Sequence, residues 1–287
     1  MKYMTSPITR IPTGVAIMLE QFGCETDDRE IILGMKAPWL FMKDRGRYLA
    51  GAALFQPLWL NLYLAGRGFR MTEISLAKND TPAYLRTHRT AMLCLTITKG
   101  VSHPVVSAGY EAGRYTFINI KSAASHEPDT ISLTAAMLQR RLEEQVTVFS
   151  LERCPPREVD FIPLLAESLA NLTEYRADVI AALNQTVTRA EMRALETRLF
   201  QALFQDVLPM AALICDPELT EGLRLLNHDY RHVFTRNSPD CVLLEERLPR
   251  SAIRDCIGWL YEDIVDQLYI SGMTDDQVRW IRDKQMR

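Results

Sequence analysis

The spacing of apolar residues changes at Cys154–Pro156, and no other feature of the sequence constrains the fold as strongly. Before this point, short apolar runs of strand length alternate with short helical patterns, and after it apolar residues recur at helical spacing. Charge changes sign nearby, because residues 1–150 carry 17 basic and 13 acidic residues and the remainder carries 16 and 23. The sequence therefore predicts an α+β domain at residues 1–152 and an all-α helical bundle at residues 153–287.

Length, charge and cysteine usage exclude several classes of protein. A chain of 287 residues can bury more than one core, and its net charge of −3 disfavours nucleic acid as the main partner. No stretch reaches the length of about 18 apolar residues that a membrane-spanning helix needs, and the N-terminal residues lack the apolar core of a signal peptide. The six cysteines form no C-x-x-C pair. We expect a cytoplasmic protein with reduced thiols.

The first domain is predicted to begin with helices and to continue as an antiparallel sheet. Thr13 follows Pro12 and is the predicted N-cap of the first helix, which Gly23 ends. Ser132 or Thr134 is the predicted cap of a later helix. The predicted elements are helices at Thr13–Phe22, Leu54–Leu64, Thr81–Thr87 and Ser132–Glu144, and strands at Met71–Leu76, Ala91–Thr98 and Val146–Leu151.

A β-hairpin carries the candidate chemistry of this domain. Val101–Tyr110 and Arg114–Ile120 are β-rich runs separated by a Gly-containing turn. His103 opens the first strand and Asn119 ends the second, so antiparallel pairing is expected to bring them close together. An imidazole beside an amide is how enzymes with a cysteine nucleophile orient their general base. Either residue could also be a merely structural group at a strand end.

With these motifs, the first domain resembles the papain-like superfamily, and within it the N-terminal domain family of butirosin biosynthesis protein H, an acyltransferase relative of bacteriocin-processing peptidases. The resemblance covers residues 8–150, and the helical remainder resembles the helical half that accompanies that domain. It implies a papain-like fold with His103 as general base and Asn119 as the residue that orients it. The matching segments are Phe22-Gly23, Gly34-Met35, Trp39–Phe41, Leu49–Gly51, His103–Val106 and Gly109-Tyr110.

The sequence departs from this family at the nucleophile. The family places a cysteine at the N-terminus of the first helix, where the helix dipole and an imidazolium lower the pKa of the thiol, and this chain has no cysteine there. Counting back from Gly23 reaches Arg10, whereas the pattern Gly14-x-Ala16 places Thr13 at the nucleophile position. A lone threonine hydroxyl is a poor nucleophile. Cys24, at the opposite end of the helix, is predicted to be a packed side chain.

The sequence is consistent with two functions. The first is a degenerate papain-like protein that acts as a binding or accessory component in a biosynthetic or peptide-handling pathway. The second is an active acyltransferase or hydrolase with His103 as base and Thr13 or Cys24 as nucleophile. A hydroxyl or thiol within about 4 Å of the His103 ring would favour chemistry, and an empty or apolar pocket beside the ring would favour binding.

Partners are predicted from charge and from the resemblance. The segment Gly34–Gly51 either lines a substrate cleft or is a loop that two aromatic residues attach to the core. The resemblance implies a small-molecule, acyl or peptidyl substrate, and an acidic acyl-carrier protein would suit the cations of this segment. No cofactor and no metal are predicted, because His228 and His232 share a helix face without a third ligand. The aromatic and basic residues of the segment are Trp39, Phe41, Lys36, Lys43, Arg45 and Arg47.

The second domain is predicted to consist of long amphipathic helices. Their wide apolar faces suggest a subunit interface, most simply a homodimer, and packing within the chain is the alternative. Thr188 and Glu191 fit a capping box. The predicted helices lie near Pro163–Asn184, Arg189–Asp206, Pro217–Phe234, Arg250–Ile270 and Thr274–Lys284.

Overall fold

The structure is a computed structural model that describes residues 3–5, 9–98, 101–211, 213–215, 217–235, 241–244 and 248–285. The chain divides into two compact units, and each is assembled from two stretches of sequence. The first unit comprises Met1–Met35 and Phe55–Val159, and the second comprises Lys36–Leu54 and Asp160–Arg287. Among the described helices, none combines the length and the apolar character that a membrane-spanning segment requires.

The described residues form helices and strands, each type numbered in chain order. The helices are α1 (Ile11–Glu20), α2 (Asp28–Gly34), α3 (Pro57–Gly66), α4 (Thr81–Thr87), α5 (Ala135–Arg141), α6 (Ile162–Leu183), α7 (Arg189–Leu195), α8 (Leu208–Ala211), α9 (Pro217–Thr235), α10 (Arg250–Ile270) and α11 (Asp275–Gln285). The strands are β1 (Phe41–Asp44), β2 (Arg47–Ala50), β3 (Phe69–Ala77), β4 (Ala91–Thr98), β5 (Val101–Glu111), β6 (Arg114–Asn119), β7 (Thr130–Thr134), β8 (Gln145–Arg153), β9 (Thr186–Thr188) and β10 (Cys241–Leu243).

The first unit is built on a six-stranded sheet with the strand order β3-β8-β4-β5-β6-β7, in which all neighbours are antiparallel. Leu85 of α4 and Leu138 of α5 pack against buried strand residues such as Leu93, Val105 and Phe117. The predicted mixture of helices with an antiparallel sheet is thereby confirmed. The predicted strands at Met71–Leu76, Ala91–Thr98 and Val146–Leu151 and the hairpin are all present, the first and third with slightly wider bounds.

Three predicted helix starts were wrong, and one of them is that of α3, which begins at Pro57 and not at Leu54. Arg10, not Thr13, occupies the N-cap of α1, and Pro12 lies in its first turn, where the missing N–H of proline costs no hydrogen bond. The predicted helix at Ser132–Glu144 begins later, because residues Thr130–Thr134 alternate between exposed and buried positions and form β7. Thr134 caps α5, and its hydroxyl accepts a hydrogen bond from the Met137 N–H at 3.3 Å.

The hairpin β1–β2 belongs to the second unit, although the prediction placed it within residues 1–152. The backbone of Phe41 is the reason, because its N–H donates to Ser168 Oγ and its carbonyl accepts from Asn171 Nδ2, both at 3.0 Å. The rings of Phe41, Tyr48 and Tyr175 also pack together, with centroids 4.8 to 5.6 Å apart. Helix α6 therefore pairs with a hairpin that lies far from it in sequence.

The second unit is mainly helical, and the prediction of an all-α domain was wrong. Besides β1–β2 it contains the antiparallel pair β9–β10. Between α7 and α8 the chain forms two π-helical turns, Glu196–Phe200 and Ala202–Val207. The apolar residues that suggested a dimer interface are buried within the chain except Trp259, which is partly exposed, so packing accounts for most of them and the oligomeric state stays a prediction. The buried ones are Leu195, Leu199, Phe200, Leu203, Phe204, Leu260, Ile264 and Leu268.

Candidate functional site

Arg10 and His103 form the centre of the candidate site. Arg10 is the N-cap of α1, and its Nη1 donates a hydrogen bond to Nδ1 of His103 at the start of β5. A guanidinium has no acceptor atom, so Nδ1 must be the acceptor and the proton of the neutral ring lies on Nε2. His103 is 8 % exposed. The imidazole is therefore held in one tautomer, with Arg10 against the ring nitrogen nearest the helix N-terminus.

Glu127 lies on the other side of the imidazole. Its Oε1 is 3.9 Å from His103 Nε2, and its Oε2 accepts a hydrogen bond from Asn119 Nδ2 at 3.2 Å. Asn119 is fully buried and also donates to the Pro128 carbonyl at 3.1 Å. Within the described part of the chain, the polar contacts of the His103 ring are those with Arg10 and Glu127. Asn119 is thus hydrogen-bonded to Glu127, and Glu127 Oε1 lies 3.9 Å from the imidazole.

A β-bulge brings His103 and Asn119 to the same face of the sheet. Ser107 pairs with Phe117 and Gly109 with Thr116, so Ala108 is an extra residue in β5. Beyond the bulge the pairing becomes Val105 with Asn119, and His103 lies two residues further along the same face. Without the extra residue the register would shift by one, and the two side chains would point to opposite faces. The two residues therefore share a face because of a bulge that was not predicted from the sequence, and in the described part of the chain no hydrogen bond joins Asn119 to the His103 ring.

Lys121 fixes the loop that carries Glu127. Its ammonium donates to the backbone carbonyls of Glu127 and Ser125, and it forms an ion pair with Asp129 at 2.7 Å. Lys121 is 7 % exposed, and the backbone N–H of Asn119 adds a bond to the Asp129 carbonyl at 2.8 Å. A buried ammonium with these partners restricts the loop strongly, so Glu127 is positioned by the fold.

Thr13, the candidate nucleophile, is placed away from this cluster. It lies inside α1, it is 1 % exposed, and its hydroxyl donates to Asp28 Oδ2 at 3.2 Å. Asp28 also accepts a hydrogen bond from the backbone N–H of Thr5 at 2.8 Å. The hydroxyl of Thr13 is therefore used in buried structure, and the structure does not bring it to His103.

Cys24 also lies away from the imidazole. It follows the C-terminal end of α1, and its backbone N–H bonds to the Leu19 carbonyl at 3.0 Å. A helix of 10 residues separates it from Arg10, which corresponds to about 15 Å. Neither predicted nucleophile is thus brought to the His103 ring.

The basic and aromatic segment predicted as a possible cleft is bound within the second unit. The indole N–H of Trp39 donates to Asp263, Lys36 Nζ donates to Gln267 Oε1 at 2.9 Å, and Lys43 pairs with Glu174. These contacts match the alternative in which aromatic residues attach the loop to the core. Elsewhere in this unit His228 is exposed, and the side chain of His232 lies outside the described residues.

Sequence reasoning missed Glu127 and chose Thr13 over Arg10. Glu127 is in a polar loop after the hairpin, and its role depends on the path of that loop, which no local pattern indicates. Arg10 was reached by counting back from Gly23, and the proline at the second helical position was the signal that the helix starts there. The arrangement can hold an oriented, neutral imidazole, and among the described residues it shows no hydroxyl or thiol against it.

Comparison with known proteins does not identify the chain. No protein-family model matches it, and no curated protein matches it. The assignment of a function therefore rests on the geometry of the site and on the resemblance described above.

Proposed function

We propose that this chain is a degenerate papain-like protein of the butirosin biosynthesis type, which acts as a cytoplasmic binding or accessory component in a biosynthetic or peptide-handling pathway. The observation that carries the proposal is the hydrogen bond from Arg10 to Nδ1 of His103. A general base needs a ring nitrogen that accepts the proton of a nucleophile. Here that nitrogen already accepts from a guanidinium, which neither attacks a carbonyl nor gives up its proton near neutral pH.

The position of Arg10 in the fold supports the same conclusion. It stands at the N-terminus of the first helix, where the resembled enzymes carry their cysteine, and it faces the histidine that they use as base. Beside the imidazole lie the Glu127 carboxylate and, bonded to that carboxylate, the buried amide of Asn119, which the resemblance assigns as the orienting residue. The resemblance implies an acyl or peptidyl small molecule as ligand and an acidic acyl-carrier protein as macromolecular partner.

The experiment that tests this proposal is Arg10→Cys. If Arg10 occupies the position of a lost nucleophile, the new thiol will lie at a helix N-terminus beside His103, and its pKa will be lowered. We expect labelling by iodoacetamide at pH 7 to be about tenfold faster at residue 10 than at the native cysteines, because more of the thiol is ionised. Peptide mass mapping gives the labelling rate at each site, and addition of His103→Ala should remove the increase.

Thr13→Cys is the matched control, because residue 13 lies in the same helix turn but is buried beside Asp28. We expect no rapid labelling at residue 13. Equal labelling of residues 10 and 13 would contradict the assignment of Arg10 to the nucleophile position. A stoichiometric adduct on a native cysteine, lost on His103→Ala, would instead show an active enzyme and overturn the proposal of a degenerate one.

A further inference from the structure

A cavity of about 540 Å³ lies among helices α6, α10 and α11 of the second unit. Its volume is in the range of sites that hold small organic ligands. Its apolar lining includes Tyr261, which is partly exposed, and Leu172 and Ile257, which are nearly fully buried and add little accessible surface. All the residues that line it belong to the second unit, so this cavity is separate from the site around His103.

A glycine in the middle of α10 keeps this cavity open. Gly258 lines the cavity, and a Cβ atom built on it would meet no other atom within 4 Å. Glycine inside a helix costs roughly 0.5–1 kcal/mol relative to alanine, and packing does not require it here. Any larger side chain would project into the cavity, so Gly258 preserves space at the expense of helix stability.

The rim of the cavity carries arginines from two helices. Arg176 comes from α6, and Arg279 and Arg282 come from α11. The carboxylates of Glu262 and Asp283 also line the cavity, and Arg279 lies 3.8 Å from Asp276. Arg282 is fixed by an ion pair with Glu262 at 2.8 Å and by the ring of Tyr261. Arg176 is exposed and pairs with no carboxylate in the described part of the chain. A guanidinium of this kind provides planar donors that suit an oxyanion.

We propose that this cavity binds a small organic anion with an apolar body, whose oxyanion head is held by Arg176 and Arg279 and whose body lies over Gly258. The apolar lining explains the need for a body, and the arginines at the rim explain the charge. Neither feature alone selects such a ligand, because a purely apolar molecule gains nothing from the guanidinium groups and a bare anion leaves the lining exposed to water.

The experiment is isothermal titration calorimetry of the full chain with octanoate, with octan-1-ol and with acetate. We expect octanoate to bind at least about tenfold more tightly than either of the others, because it alone has both the head and the body. Gly258→Leu fills the cavity and should abolish octanoate binding. Arg176→Gln should weaken the binding of octanoate several-fold and leave that of octan-1-ol unchanged.

Gly222→Leu is the control, because Gly222 also lies inside a helix of this unit with open space at its Cβ but does not line the cavity. This variant should bind octanoate as the wild type does, and thermal unfolding should show both variants folded. The proposal is overturned if octanoate fails to bind, if octan-1-ol binds as tightly as octanoate, or if both glycine variants lose binding equally.

Discussion

At the scale of single residues, a buried tyrosine hydroxyl stabilises or destabilises the fold according to whether it has a hydrogen-bond partner. Two tyrosines of the second unit pack ring against ring, Tyr48 on β2 and Tyr175 on α6, with centroids 5.0 Å apart. The Tyr48 hydroxyl donates to Asp178 at 2.9 Å. The Tyr175 hydroxyl is fully buried without a hydrogen-bond partner among the described residues, and burial raises its pKa well above the ordinary value. One hydroxyl therefore stabilises the unit and the other destabilises it.

We predict that Tyr175→Phe raises the free energy of unfolding by about 1 kcal/mol, because it removes a buried polar group with no partner. Tyr48→Phe is the matched control and should lower it by about 1–2 kcal/mol, since it removes a hydrogen bond to a carboxylate. Urea unfolding at pH 7 measures both values. A loss of stability in Tyr175→Phe comparable to that in Tyr48→Phe would show that the Tyr175 hydroxyl has a stabilising role.

At the scale of elements, the π-helical segment of the second unit contains a buried carboxyl group. Asp206 lies in the second π-helical turn and is 6 % exposed. Burial raises its pKa to about 7, and the charge of Arg47 only partly opposes this shift. The carbonyl of Asp206 also lies so close to Gly51 that a Cβ there would clash with it, and Gly51 has a φ of +49°. The residue that directly follows the hairpin thus lies so close to the π-helical turn that only glycine fits there without a clash.

The raised pKa of Asp206 predicts a pH dependence of stability. The folded state holds this proton up to about pH 7, whereas the unfolded chain releases it near pH 4, so the free energy of unfolding decreases as pH rises between these values. Asp206→Asn removes the effect and should be more stable than the wild type at pH 8, by about 4 kcal/mol at most. At pH 4 the two should differ little.

Urea unfolding at pH 4 and pH 8 checks this prediction. Asp255→Asn, at an exposed position of α10, is the control and should leave the pH dependence as it is. An unchanged pH dependence in Asp206→Asn would mean that another group causes it or that Asp206 is ionised in the fold.

At the scale of the whole molecule, the chain alternates between its two units. The segment Lys36–Leu54 leaves the first unit and joins the second, and the chain then returns to the first unit at Phe55. Phe41 shows the consequence, since its backbone bonds to Ser168 and Asn171 and its ring packs on Tyr175. A cut at residue 152 would therefore separate α6 from the hairpin that covers it.

We predict that Phe41→Ala increases amide hydrogen exchange in α6 and leaves the six-stranded sheet protected. Loss of a buried phenylalanine side chain costs about 3–5 kcal/mol, and the loss should be confined to the unit that contains it. Hydrogen exchange with mass spectrometry measures this. Phe117→Ala, in the core of the first unit, is the control and should give the reverse pattern. Increased exchange in the sheet on Phe41→Ala would contradict the assignment of this segment to the second unit.

Local pattern determined the elements whose residues interact with near neighbours. Short apolar and β-rich runs identified β3, β4, β5 and β8, and helical spacing identified α6, α9, α10 and α11, because each pattern depends on residues that are close in sequence. The capping box was also predicted correctly, as the Thr188 N–H donates to Glu191 at 2.8 Å. In these cases the interacting residues are close in sequence, so the sequence contains the information.

Tertiary structure decided the features that join distant residues. The attachment of β1–β2 to α6 depends on contacts across more than a hundred residues, and the pairing of His103 with Glu127 depends on the register after a bulge and on a loop path. The sequence alone was enough to select His103 and Asn119 as candidate site residues. Which side chain contacts the imidazole depends on where α1 begins and how it packs. Arg10 and Thr13 are three residues apart, but Arg10 lies at the helix N-terminus and Thr13 is buried inside the helix.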